Sequence, residues 1–475
     1  MQHRLPKSPT DSPWSSVPLK ERCRRVASVR QVIAEEGESW ADLCRRDWRP
    51  DRLTTVSAEL LPLTAALQWI GRRGARLLKP RRLPLASRPI WLWGLRNEIH
   101  YQPRGTVLIL GSWNYPLLLV GVQIAQSLAA GNHVLFKPAE GCEEIAEALV
   151  TAFYRCGVPV EALQQLDSSA DAAIDAIDRG VDLIVLTGSA QTGRAVFRQA
   201  SQSLTPMILE LSGCDAVIAC PSADPSRVAE SIRFGLTFNS GATCIGPRRL
   251  IGEREASEAI CETLVSKLST ERPQAIHPAA KDSVVALLRR AFDAGATDLT
   301  GRFSIDQLEE TGLMTPLVLG NVLPDSEIAQ ADVFAPVISQ LVVDRIEQAV
   351  PIVNQCRYRL AASVFGSQAD ASTIGDQLMV GSVTINDLIV PTADPRVPFG
   401  GQGESGFGVT RGEEGLRSMT LPVLKSRRRG AFIPHLVFNR EKDSSLLLSV
   451  IQLQHGGNLR TRLQGLWRLM TSYRK

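Results

Sequence analysis

Three residues of this 475-residue chain pair a reactive side chain with a setting that suits it. Cys244 ends the segment Asn239-Ser-Gly-Ala-Thr-Cys244, a Gly-containing loop with polar flanks that suits an accessible thiol. A lone cysteine is more often an inert small hydrophobe, so the loop alone decides nothing. Glu210 lies 34 residues earlier, at the end of the apolar run Met207-Ile-Leu-Glu-Leu211 and just before Ser212-Gly213. Alone it reads equally as a solvated carboxylate at a strand end. Asn114 sits between Trp113 and Tyr115, directly after another apolar run, where asparagine also serves simply as a turn former. A nucleophile, a base and an oxyanion donor do chemistry only as a set.

The elements that must hold these residues are written as short apolar runs. The segments 106–110, 133–137, 182–186 and 207–211 read as strands, with helical patterns over 117–130, 143–156 and 192–200 between them. Strands of this length alternating with helices predict a mostly parallel sheet covered on both faces. A second run of the same kind spans about 215–384, with strands at 216–219, 249–251, 337–343 and 382–385 and helices at 226–236, 257–268 and 282–294. Two helices precede both runs, an Arg-rich one over 20–36 and another over about 57–78. The fold class is α/β, with two layered domains and a cleft between them.

Composition narrows the function. Net charge is only +4, so no nucleic-acid partner is expected. The nine cysteines are scattered singly, with no CxxC pair and an odd total. That speaks against a disulfide framework or zinc site and for a reducing compartment, so a cytoplasmic location is expected. The six histidines are isolated, and no metal site is expected. Residues 105–136 carry no charge, but Gly111 to Pro116 and Gly131-Asn132 divide them into pieces too short to cross a bilayer. Lys7, Lys20 and Arg22 to Arg25 interrupt any apolar run at the start, so no signal peptide is expected.

Six separated segments, spread over about residues 20–425, resemble the NAD(P)-dependent aldehyde dehydrogenases. Pro103-Arg-Gly-Thr-Val-Leu-Ile-Leu-Gly-Ser-Trp-Asn-Tyr-Pro116 looks like the segment carrying that family's oxyanion-stabilising Asn. Phe136-Lys-Pro-Ala-Glu140 is similar to its cofactor-ribose motif, and Thr187-Gly-Ser-Ala-Gln-Thr-Gly193 to the turn under the cofactor diphosphate. Glu210-Leu-Ser-Gly213 resembles the general-base motif, Asn239 to Cys244 the nucleophile loop, and Pro398-Phe-Gly-Gly-Gln-Gly-Glu-Ser-Gly406 the C-terminal signature. Trp-Asn-Tyr-Pro116, with Gly403 where many members carry Lys, looks most like the class 3 branch acting on fatty and aromatic aldehydes.

The resemblance implies a Rossmann-type cofactor domain over 1–210, a catalytic domain over 211–400, a return to the cofactor domain with an oligomerisation strand over 401–428, and a basic tail over 429–475. It implies Cys244 as nucleophile, Glu210 as base and Asn114 as oxyanion donor, and Lys137, Glu140, Gly188, Ser189, Gly193, Trp113, Asp332 and Phe334 as cofactor contacts. The chemistry agrees. An aldehyde does not give up hydride directly, whereas a thiohemiacetal alkoxide pushes it out to a nicotinamide and leaves a thioester for activated water. Gly188-Ser189 precedes a helix whose N–H groups can face a phosphate, although the segment is not GxGxxG. A carboxylate at Glu140 repels a 2′-phosphate, which favours NAD over NADP.

Four positions depart from the family pattern: Ser212 and Cys214 in the base motif, Ala242 where Gln is usual, and Asp332 for Glu in Asp332-Val-Phe-Ala-Pro336. Two rival functions follow. A coenzyme-A-acylating relative generally lacks the base that Glu210 supplies, and a catalytically weak paralogue would tolerate the departures. By resemblance a homodimer forms through a strand near 418–425. The segment 425–475 holds eleven Lys and Arg against Glu441 and Asp443, a net +9. Leu459, Leu463, Leu466, Trp467 and Met470 share one helical face within it. Such a helix lies at an anionic membrane surface, packs on its own dimer, or ends the chain in solvent.

Overall fold

The computed structural model describes residues 13–431, 433–437 and 440–472, so Arg474 and Lys475 of the basic tail lie outside the described residues. The chain forms two compact units, one of the chain up to Lys79 with Tyr101–Leu421, the other of Pro80–His100 with the chain from Pro422 onward.

In the first unit, helix α1 (Leu19–Leu43) runs past the expected end at 36. The helical stretch that follows, 52–77, is interrupted by π-type turns at Val56–Leu60 and Ile70–Gly74. The uncharged stretch resolves into strand β1 (Thr106–Leu110), helix α2 (Leu118–Ala130) and strand β2 (His133–Lys137). Every residue of β1 and α2 is buried, which is why charge is absent there. Gly131 ends α2 in the left-handed conformation, φ 98°, where a side chain would be strained. Then come α3 (Glu143–Arg155), β3 (Leu163–Gln165), α4 (Ala170–Asp178), β4 (Leu183–Gly188), α5 (Ala190–Ser201) and β5 (Met207–Leu211).

The second run supplies β6 (Asp215–Ala219), α6 (Pro225–Thr237), β7 (Pro247–Glu253), α7 (Arg254–Leu268), α8 (Pro278–Asp293), β8 (Thr297–Asp298), β9 (Leu317–Gly320), β10 (Val337–Val343), β11 (Ala361–Phe365), β12 (Ser382–Ile385) and β13 (Gly406–Phe407). One sheet has the order β13-β5-β4-β1-β2-β3 and the other β8-β9-β10-β7-β6-β11-β12. Both are parallel except for β13 and β8, which add antiparallel at an edge. Register places Glu210 on β5 between Thr187 of β4 and Gly406 of β13.

Among these elements the sequence reading missed β3, β8, β9, β11, β13 and α4. Strand β11, Ala361-Ala-Ser-Val-Phe365, is clamped between β6 and β12.

The second unit carries a three-stranded sheet, with Leu95–Pro103 between Arg81–Arg82 and Thr420–Arg428. Helices α9 (Ser444–His455) and α10 (Leu459–Ser472) follow. Among the described residues, no helix is long and apolar enough to cross a membrane.

Candidate active site

A cavity of about 940 Å³ lies in the first unit, at the carboxyl ends of β1, β2, β4 and β5. That is where open α/β sheets bind ligands. Asn114, Glu210 and Cys244 all line it, together with Trp113, Lys137, Glu140, Gly188, Ser189, Asp332 and Phe334. Gly193 does not. It is buried in α5, where a Cβ would come within 2.7 Å of Leu211, so it is a packing glycine that lets α5 approach β5.

The nucleophile loop is held from several sides. Asn239 and Ser240 both have positive φ, at 53° and 51°, and Gly241 follows at 72°. Such a run persists only where neighbours over-determine it. Arg248, fully buried, donates to the carbonyls of Gly241 at 2.9 Å and Thr243 at 3.0 Å. Ser240 Oγ donates to the Trp48 carbonyl at 2.9 Å, and Tyr115 and Thr243 share a hydroxyl–hydroxyl bond of 2.6 Å.

Asn114 is tied to that loop. Its Nδ2 donates to the Ala242 carbonyl at 3.1 Å, while Asn239 Nδ2 donates to the Asn114 carbonyl at 3.1 Å. One Nδ2 hydrogen is thus used and a second remains to donate. Behind both loops lies a buried ion pair that the sequence reading missed. Glu59 and Arg49 are joined directly; Arg49 also donates to the Asn114 carbonyl and, at 3.0 Å, to Asn239 Oδ1. Glu59 Oε2 accepts from the Leu117 and Leu118 amides at 2.6 and 3.1 Å, at the start of α2. The π-type turn at Val56–Leu60 contains Glu59, and such turns concentrate at functional sites.

Electrostatics at the centre oppose ionisation. Burial, with the carboxylates of Asp215 and Glu210, pushes the Cys244 thiol up to about 12. Burial likewise raises Glu210, offset by Arg411 and by hydrogen bonds from Thr410, Thr187 and Gln123. Glu210 Oε2 lies 3.4 Å from Gln123 Nε2 and 3.5 Å from Thr187 Oγ1, and Oε1 accepts from Thr410. A carboxylate raised above its ordinary range is a stronger base once ionised, which suits a general base. Arg411 is the counterweight. It sits at φ 59°, its guanidinium 4.2 Å from the Phe399 ring centre, and donates to the Thr392 carbonyl at 2.7 Å. Among the described residues, no carboxylate pairs with it within 4.0 Å. A single Arg in Val-Thr-Arg-Gly gives no sequence signal.

The cofactor side fits a dinucleotide. Ser189 caps α5, accepting from the Thr192 amide at 3.0 Å, so the helix start faces the cavity. Lys137 Nζ donates to the carbonyls of Pro138 and Ser168, with exposed Glu140 nearby on the cavity wall. Burial pushes Asp332 up to about 6, against Arg248 and Ser212, and its Oδ1 has no hydrogen-bond partner. A buried acceptor without a donor suits a ligand hydroxyl. Trp113 meets Phe334 edge-on at 5.9 Å and stacks on His277 at 3.8 Å, so that histidine, whose charge burial opposes, also lines the cavity. Cys214 is fully buried and does not line the cavity. Among the described residues, no His, Cys, Asp and Glu cluster could hold a metal.

Residues 7–423 match the model of the aldehyde dehydrogenase family. A "4,4'-diapolycopene aldehyde oxidase" of Methylomonas is 26% identical over 417 residues, covering 86% of this chain and 78% of that protein. A "Probable coniferyl aldehyde dehydrogenase" of Pseudomonas aeruginosa is 27% identical over 429 residues, covering 87% and 86%. Among solved structures, a Mycobacterium tuberculosis aldehyde dehydrogenase complexed with NAD+ superposes with a TM-score of 0.80 at 24% identity, covering 89% of this chain and 87% of that one. The chain belongs to the aldehyde dehydrogenase family, and its activity is the NAD(P)-dependent oxidation of an aldehyde.

Proposed function

We propose that the Cys244 thiol gives its proton to water in the cavity it lines and attacks the aldehyde as a thiolate, with the Asn114 amide and the Cys244 backbone N–H stabilising the alkoxide that forms. One such donor is worth roughly 3–4 kcal/mol elsewhere. The alkoxide's electron pair re-forms the carbonyl as hydride leaves the same carbon, giving a thioester on Cys244. The oxidised nicotinamide, when bound, accepts that hydride. Glu210 then takes a proton from water, the hydroxide adds to the thioester, and the Cys244 thiolate departs from the carboxylic acid. The reading rests on Cys244, Glu210 and Asn114 lining the same cavity as Lys137, Glu140, Gly188, Ser189, Asp332, Trp113 and Phe334.

In this reading the first sheet serves the cofactor (1–210 with 401–428) and the second carries the catalytic loop (211–400). Lys137 and Glu140 hold the adenosine ribose, and Glu140 favours NAD over NADP. Asp332 serves the nicotinamide ribose. Trp113, Leu119 and Phe399 on the cavity wall, with relatives named for diapolycopene and coniferyl aldehydes, support an apolar aldehyde of the fatty or aromatic type. The edge strand Thr420–Arg428, with Leu421 and Leu424 exposed, supports a homodimer, which light scattering at micromolar concentration would refute by finding a monomer mass. Nine free cysteines support a reducing compartment such as the cytoplasm.

The test is NADH absorbance with NAD and a panel of short, fatty and aromatic aldehydes, with and without coenzyme A. Oxidation without coenzyme A is expected, and an absolute requirement for it would move the thioester to a thiol acceptor. Cys244→Ala should abolish oxidation with NAD binding retained, while Cys214→Ala keeps it. A tenth of wild-type rate surviving in Cys244→Ala would sink the nucleophile assignment.

A further inference from the structure

The second unit ends in a helical hairpin built inside out. Helices α9 and α10 pack together through small residues: a Cβ on Gly465 would come within 2.7 Å of the Ser449 carbonyl oxygen and the Leu453 amide nitrogen. Ser449 is the one residue of α9 buried among those described. The large apolar side chains point the other way. Leu448, Ile451, Leu459, Leu463, Trp467 and Met470 are each 54–72% exposed. On α10, Leu459, Leu463, Trp467 and Met470 follow one another at helical spacing along a single outward face, which marks an interaction site, whereas an isolated exposed leucine is ordinary.

Charge identifies the partner. Residues 444–472 contain no Asp or Glu and include Arg460, Arg462 and Arg468. The whole second unit holds fifteen Lys and Arg against three Asp and Glu, a net +12 in a chain whose total is +4. A second copy meeting this face with its own would set Arg460, Arg462 and Arg468 against their own copies, with no carboxylate in 444–472 to offset them. A uniformly anionic surface faces no such repulsion. At 12 and 14 residues the helices are about 18 and 21 Å long, short of the ~30 Å hydrocarbon core, so they suit the plane of the interface rather than a span. Trp467 is the residue type favoured at that depth, with arginines reaching to the headgroups.

We propose that the outward face of α10 is a peripheral docking surface for an anionic lipid bilayer, its Leu459, Leu463, Trp467 and Met470 side chains entering the interface and its arginines contacting lipid phosphates. The docking is independent of the catalytic assignment. It gives the enzyme access to apolar aldehydes dissolved in lipid.

The experiment uses the full-length protein, co-sedimented with vesicles of phosphatidylcholine alone or mixed with phosphatidylglycerol, at low and high salt. Wild type should pellet with the phosphatidylglycerol vesicles, several-fold less with phosphatidylcholine alone, and less as salt rises. Leu463→Gln/Trp467→Gln alters two exposed positions, so NADH formation from a soluble aldehyde should be unchanged while pelleting falls at least tenfold. Arg460→Gln should weaken pelleting about fivefold. Equal pelleting of wild type and the double variant, equal pelleting with both lipids, or none by wild type would each overturn the proposal. A double variant that loses dimer mass in light scattering, with no lipid binding by wild type, would assign the face to a second copy instead.

Discussion

Arg49→Met should separate the Glu59–Arg49 pair from the chemistry it supports. Both side chains are almost wholly enclosed, at 3% and 0% exposure. The substitution keeps most of the side-chain volume but leaves the Glu59 carboxylate buried without its counter-ion. Removing one partner of a buried pair costs about 3–5 kcal/mol, because an uncompensated charge remains. Two acceptors also lose a donor: the Asn114 carbonyl keeps its bond from Asn239, whereas Asn239 Oδ1 depended on Arg49. The loss of apparent unfolding free energy, read from urea denaturation, should therefore fall near 3–5 kcal/mol. Activity should fall for a separate reason. Arg49 fixes the loop carrying the Asn114 amide against the loop carrying Cys244, and misplacing a reacting group by about an ångström costs ~100-fold. We expect kcat reduced 10- to 100-fold, below the ~100- to 1,000-fold for deleting an oxyanion donor outright. KM for NAD should change less than kcat, since of the groups facing the cofactor only Trp113 shares the Asn114 loop, while Lys137, Glu140, Ser189 and Asp332 sit elsewhere. The control is Arg49→Met/Glu59→Leu. Removing both charges lifts the cost of the uncompensated carboxylate but leaves the Leu117 and Leu118 amides without an acceptor at about 1–3 kcal/mol each, so this control is read in kcat, which should stay low. A single variant within 1 kcal/mol of wild type (the scale of an ordinary surface change), or a double variant with wild-type kcat, would refute the clamp.

Glu210→Gln should produce a burst of NADH followed by a slow phase, because hydride transfer precedes the step that needs the base; absence of the burst would place Glu210 earlier, at the thiol. The same variant should be more stable than wild type at neutral pH. Burial raises the carboxyl's folded-state pKa, so the folded form loses stability as pH rises from the unfolded-state value through the folded one. The advantage should vanish under acid conditions where both states are protonated, and an equal difference at all pH values would contradict it. Arg411→Met removes the cation that lowers both Glu210 and Cys244. The acidic limb of the kcat/KM profile should therefore move to higher pH, with Arg411→Lys intermediate. An unmoved limb would show that the guanidinium acts only in packing.

What the sequence made legible depended on distance along the chain. Strands β1, β2, β4 and β5 announced themselves because a buried parallel strand is apolar along most of its length, and Cys244, Glu210 and Asn114 could be singled out because each sits in a local motif. Glu59 and Arg49 sit in no motif. A Glu within a helical pattern and an Arg in a polar stretch read as solvated, and their role emerges only where Glu59 reaches Leu117 and Arg49 reaches Asn239, 58 and 190 residues away. His277 was set aside as isolated for the same reason, although it stacks on Trp113 across 164 positions.

The hairpin reverses that relation between pattern and structure. Sequence periodicity put Leu459, Leu463, Leu466, Trp467 and Met470 on one face, a pattern that ordinarily marks the side a helix buries. Here the face turned inward is the one carrying Gly465 against Ser449, so the amphipathic stripe points outward. Helices can meet backbone to backbone only where side chains are small, and that choice leaves the larger apolar residues for another partner. A stripe therefore says that a helix has an apolar partner. Whether the partner is its own protein depends on which residues the neighbouring helix occupies, and in α9 and α10 those are the glycine and the serine.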